Sequence, residues 1–177
     1  MAKPDPQRLI FGLFLLMLIS AIESVLHKFH LSGWPAFMVM VFFFVEHMDV
    51  KKAPQILVGG AIGILTALGF FLFVGKFAGA LGQLPAILLY VCVAVYAIVA
   101  FGEIVPVVFN NYAFMFLTVS IGVAAANLEA AKFLQWMGIE LVGGLVAIVG
   151  ILGILKLMSA VLAPKGTPAA QHPDPEA

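Results

Sequence analysis

Long apolar runs restrict this chain more than any other feature. Leu9 to Ile22, Trp34 to Val45, the stretch between Pro54 and Gly75, Pro85 to Phe101, Val107 to Ala126 and the last stretch to Leu162 carry few charges between them. The strands of a membrane β-barrel alternate polar and apolar residues in segments of roughly ten, and these runs do not alternate. A helix satisfies its own backbone hydrogen bonds and so tolerates hydrocarbon on every side. Composition agrees: 63% of the 177 residues are apolar and only 10% are charged, whereas a soluble domain carries roughly 25% charged residues. The sequence therefore predicts an all-α fold: a polytopic transmembrane helical bundle of about six spans over residues 1–162, with the lipid bilayer as its first partner. From Ala163 onward Pro, Gln, Asp and Glu dominate, and residues 163–177 read as a disordered C-terminal tail.

Lys3 and Arg8 ahead of Leu9–Ile22 resemble the start of a signal peptide. Ser20-Ala21-Ile22-Glu23 is a poor cleavage site and further apolar runs follow, so the first segment is expected to stay as a span. Nine basic and nine acidic residues balance and are scattered, which leaves no basic surface for nucleic acid. The single Cys92 excludes an intrachain disulfide and is expected to be a small buried hydrophobe.

The expected spans run from Leu9 to about Leu26, Trp34 to Val45, Pro54 to about Gly75, Pro85 to Phe101, Val107 to about Ala126, and from a cap at Asn127 to about Leu162. Pro35 suits a first helical turn. Gly102-Glu103-Ile104-Val105-Pro106 breaks the fourth run from the fifth. With six spans, Lys3, Arg8, Lys51, Lys52, Lys156 and Lys165 share one side, and Lys28, Lys76 and Lys132 the other. Six basic residues against three favours both termini in the cytoplasm. Trp34 and Trp136 sit near expected span ends, as interfacial aromatics do, and Glu140 is expected to reach the interface. Small residues four apart, Gly59, Gly63 and Ala67, then Gly143 and Ala147 beside Gly144, mark faces where helices approach closely, in this chain or in another copy.

The halves resemble each other weakly. Ala36-Phe37-Met38-Val39-Met40 pairs with Ala113-Phe114-Met115-Phe116-Leu117, and Val58-Gly59-Gly60 with Val142-Gly143-Gly144. Two repeats of three spans each would lie upside down relative to one another, the arrangement found in many transporters. Spans two and five would then face each other.

Polar residues are informative because ionisable groups are costly within a span. Asn110, Asn111 and Thr118, with Glu103 nearby, are candidates for a solute path, since amides offer donors and acceptors to a passing solute. Interhelical hydrogen bonding is the plainer alternative for the amides, and a surface loop charge for Glu103. Glu23 and His27 share a helix face and read as an interfacial pair, a proton relay or an ion site. Glu46 and His47, with Asp49, read as a solvated helix end or an ion site. No nucleotide loop, nucleophile elbow, HExxH or paired CxxC occurs, so neither an enzyme nor a cofactor is expected, and no metal site is assigned.

The order Leu31-Ser32-Gly33-Trp34-Pro35-Ala36-Phe37, a lysine pair, then Gly59-Gly60 and Gly63 resembles the YcdZ-like family of small uncharacterised bacterial inner-membrane proteins. Phe109-Asn110-Asn111-Tyr112-Ala113-Phe114 and a glycine-rich last helix fit the same likeness. The resemblance implies a bacterial inner membrane and about this number of spans, and it brings no catalytic residue or substrate. The sequence reading as a whole is a small channel or transporter subunit for a small polar solute or ion, working as a homo-oligomer. The alternative is a non-transporting membrane scaffold or regulatory subunit that binds a partner protein.

Overall fold

The computed structural model describes residues 5–124 and 129–162. The tail expected at 163–177 and the cap expected at Asn127 lie outside the described residues. Within them the regular structure is helical and forms six rods. These are α1 (Pro6–Lys28), α2 (Trp34–Val45), α3 (Ala53–Leu81), α4 (Gln83–Phe101), α5 (Asn111–Ala124), and a last rod made of α6 (Ala130–Gly138), a π-helical turn (Ile139–Gly143) and α7 (Gly144–Leu162). Four rods are long and apolar enough to cross a membrane: α1, α3 with its preceding 3-10 turn, α4, and the last rod. α2 and α5 are shorter. At 1.5 Å per residue the 12 residues of α2 span about 18 Å, less than the roughly 30 Å of hydrocarbon, whereas the 29 residues of α3 exceed it.

Local chemistry explains the ends. Asp5 caps α1 by accepting from the Gln7 amide at 3.0 Å, and Pro6 follows as its first residue. Asp49 accepts from Lys51 N at 2.9 Å and starts the 3-10 turn Val50–Lys52 that leads into α3. α3 continues through Gly75 and Gly79 and stops only at Gly82, whose φ of +86° is open to glycine without strain. The fifth helix begins at Asn111, not at Val107 as its Pro106 neighbour suggested. Residues 102–110 form turns, and the Asn110 side chain accepts from Ala113 N at 2.9 Å, which is an N-cap. The break between α4 and α5 is therefore longer than expected, and the two asparagines stand at its rim rather than one or two turns inside a span.

The core lies where α2 and α5 pack on the two long rods. α5 runs parallel to α3, with Gly59 against Asn110 and Gly63 against Ala113 and Leu117. A Cβ at Gly63 would strike the Ala113 carbonyl and the Leu117 amide, so this is backbone-to-backbone contact. α2 runs parallel to α7, with Ala36 against Gly143 and Val39 against Gly144. Both small-residue faces are thus used within the chain. α4 lies on the far side of α3, where the Tyr90 hydroxyl donates to Thr66 O at 2.8 Å in the space left by Gly69. α1 lies on α7, with Leu18 over Gly150.

Outward faces are apolar, including Leu13, Leu16 and Met17 on α1 and Val93, Tyr96 and Val99 on α4. Such surfaces fit contact with lipid. Cys92 is among the exposed residues, contrary to its expected burial. α4 buries only Ala86, so most of its circumference, Cys92 included, faces outward.

Candidate functional site

Three polar stations lie on or in this apolar frame. The first is a pocket at the α2–α3 turn, with a volume of about 310 Å³. Phe42, Val45 and Glu46 come from the end of α2, Lys52 and Gln55 from the start of α3, and Asn110, Asn111 and Tyr112 from the start of α5. The Tyr112 hydroxyl donates a short hydrogen bond to Glu46 Oε1. The Asn110 amide donates to Gln55 O at 3.2 Å and to Pro106 O at 2.9 Å while its oxygen caps α5. Asn110 is therefore fully engaged in holding α5 on α3, whereas Asn111 beside it is exposed.

Thr118 does not join this pocket. It is exposed, and its hydroxyl donates back to Phe114 O at 2.9 Å. Glu103 is exposed in the break between α4 and α5, outside the pocket lining. His47 is exposed in the turn after α2, where it and Met48 take positive φ.

The second station is a shallow groove on the outer face of α1, lined by Ile19, Ser20, Glu23, Ser24 and His27. Helical spacing puts these residues on one side. Glu23 and His27 form no ion pair, and among the described residues the only one is Glu129–Lys132 at 3.8 Å. Among the same residues no three His, Cys, Asp or Glu side chains are grouped to hold a metal ion.

The third station was missed. Glu140 lies in the π-helical turn, is 0% exposed, and neither carboxyl oxygen has a hydrogen-bond partner among the described residues. The expectation that it reaches the interface is wrong, because the carboxyl points across to α3. A Cβ at Gly60 would lie 2.5 Å from Glu140 Oε1 and 2.9 Å from the edge of the Phe116 ring. An unsatisfied buried polar group costs about 1–3 kcal/mol, and a charged one several times that. π turns inside α-helices concentrate at functional sites. The only signal in sequence was one acidic residue ten positions into an apolar helix.

Aromatic side chains fill the space between the first and third stations. Phe42 stacks on Tyr112 at 5.2 Å and on Phe116 at 5.9 Å, and Trp34 meets Phe116 at 6.0 Å and Trp136 at 5.5 Å. Trp34 and Trp136 are thus each other's neighbours, and Trp136 is only 4% exposed. Trp34 Nε1 and Ser120 Oγ are buried without partners among the described residues. No family model matches the chain, and neither a curated protein nor a solved structure is detectably similar to it.

Proposed function

We propose that this protein is a small channel or transporter subunit that passes a small polar solute or ion, with six crossings arranged as two inverted three-helix halves. The observation that carries this reading is the way the helices pair. α2 lies on α7 as α5 lies on α3, and α1 lies on α7 as α4 lies on α3. Aligning Ala36 with Ala113 matches the buried positions of the short helices. Pro35, Ala36, Val39, Met40 and Phe43 correspond to Tyr112, Ala113, Phe116, Leu117 and Ser120. Aligning Gly59 with Gly143 matches Ile56, Gly60, Gly63, Ile64 and Ala67 with Glu140, Gly144, Ala147, Ile148 and Ile151, all buried. The contacts correspond as well, since Phe116 rests on Gly60 and Val39 on Gly144. Each half holds an odd number of crossings, so the halves oppose each other in the membrane.

In this reading the Glu46–Asn110–Asn111 pocket is the cytoplasmic mouth, and the Phe42–Tyr112–Phe116–Trp34 stack closes the path beyond it. Thr118 and Glu103 lie off that line. The bias of the basic residues supports both termini in the cytoplasm, and the resemblance to the YcdZ-like family supports a bacterial inner membrane. The polar groove of Ser20, Glu23, Ser24 and His27 on an outer face supports a second copy covering it. Purified protein in liposomes should accelerate entry of at least one solute from a panel of small neutral and charged molecules, and Phe42→Ala should increase that flux. The closed aromatic packing also favours a second reading, a scaffold that transports nothing. Flux equal to protein-free liposomes for the whole panel, in wild type and Phe42→Ala alike, would establish it.

A further inference from the structure

We propose that Glu140 is a proton-binding site at the crossing of the two halves and that it holds the proton to which transport is coupled. The coupling rests on the transport reading, but the site does not. Both carboxyl oxygens are buried and unpartnered among the described residues. A carboxylate in hydrocarbon needs a neutralising partner, and none of the elements packed around it supplies one. α2 carries no titratable residue. α3 carries only Lys76, sixteen residues beyond Gly60 and so about 24 Å along the helix. The one titratable group of α5 is Tyr112, whose hydroxyl is given to Glu46. On its own rod, Lys132 pairs with Glu129 and Lys156 stands four turns beyond. Neutrality therefore has to come from something bound to the carboxyl.

Space selects the ligand. Glu140 Oε1 and the Phe116 ring occupy the volume that a Cβ at Gly60 would need, so on that side the carboxyl sits against backbone, and no other His, Cys, Asp or Glu is grouped with it among the described residues to share a metal ion. A proton requires no volume. In the proposed pairing of the halves the place of Glu140 is taken by Ile56, an apolar side chain that is equally buried. The carboxyl stands in the π turn Ile139–Gly143, an irregularity that is frequent at functional sites, and proton coupling requires that it meet water at one stage of the transport cycle and lose it at another.

Infrared spectroscopy of the protein in liposomes tests the site. Wild type should show a protonated carboxylic acid band that shifts in deuterium oxide, Glu140→Gln should lack it, and Glu140→Asp should retain it. Identical wild-type and Gln spectra would overturn the proposal, and so would a band that never exchanges with deuterium. Coupling is tested in liposomes with a luminal pH dye, a pH gradient and the solute panel. Gradient-driven solute entry should fall to the protein-free level in Glu140→Gln. Retention of that entry would overturn the coupling while leaving transport standing. An exchanging Glu140 proton with no solute flux would keep the site and remove the transport reading instead.

Discussion

Where α5 crosses α3, two backbones touch: Gly63 has no room for a side chain against the Ala113 carbonyl. Where α2 crosses α7, the corresponding position is Ala147, already bearing a methyl group and still fully buried. The first crossing is tighter at that point, and the second is the one that contains a π turn and a carboxyl. α3 is an unbroken helix with Ile56 at the position that the proposed pairing of the halves matches to Glu140. If the two halves are paired as proposed, a common packing plan does not require common chemistry. One long helix acts as a smooth wall, and the other carries the polar group that presses against it.

Substitution at the two crossings sharpens the contrast. Gly63→Leu should have the largest effect, about 3 kcal/mol or more, because backbone atoms cannot move aside. Thermal unfolding in mild detergent should show a lost or much lowered transition, while Ala147→Leu, starting from an existing methyl, should lower it by about 1–3 kcal/mol. Equal effects would mean that the two crossings are equally tight. Gly144→Ala should come next. Its Cβ would lie 2.7–2.9 Å from three carbons of Val39, a β-branched side chain with little rotamer freedom. Gly60→Ala meets the far end of the Glu140 side chain and the edge of the Phe116 ring instead, and should lower the melting temperature less if the carboxyl can swing aside. The reverse order would show that Glu140 is held rigidly. The smallest effect is expected at the pocket between α2 and α5, where Tyr112→Phe removes the hydrogen bond to Glu46 and should cost about 1 kcal/mol. Glu46→Gln, which retains an acceptor, should cost less on the same measurement.

Much of the frame was legible because apolar runs and breakers act locally. Trp34–Val45 was read with the bounds it has, since Pro35 opens it and Glu46-His47 closes it. The start of α5 was misread because Pro106 is a visible punctuator, whereas the cap made by Asn110 depends on its amide also reaching Gln55 O on another helix. The end of α3 was misread at Gly75-Lys76, because glycine and a single lysine do not stop a helix near a membrane surface. Glycine spacing revealed close packing but not that α5 and α2 were the partners. Glu140 was read as an interfacial residue because nothing in its own segment says that Gly60, eighty positions earlier, leaves room for it. The amide pair was legible as polar residues near a break, but the division of labour, Asn110 structural and Asn111 free, came from tertiary contacts.

The proposed inverted arrangement requires the short helices α2 and α5 to cross the membrane, so that the second half opposes the first. In a Cys92→Ala background, single cysteines at His30, Asp49, Gln83, Glu103 and Glu129 can be treated with a membrane-impermeant thiol reagent on intact cells whose inner membrane faces the medium. Cysteines at His30, Gln83 and Glu129 should react from outside, and those at Asp49 and Glu103 only after the membrane is permeabilised. Reaction of both His30→Cys and Asp49→Cys from the same side would mean that α2 does not cross, and the inverted arrangement would be contradicted.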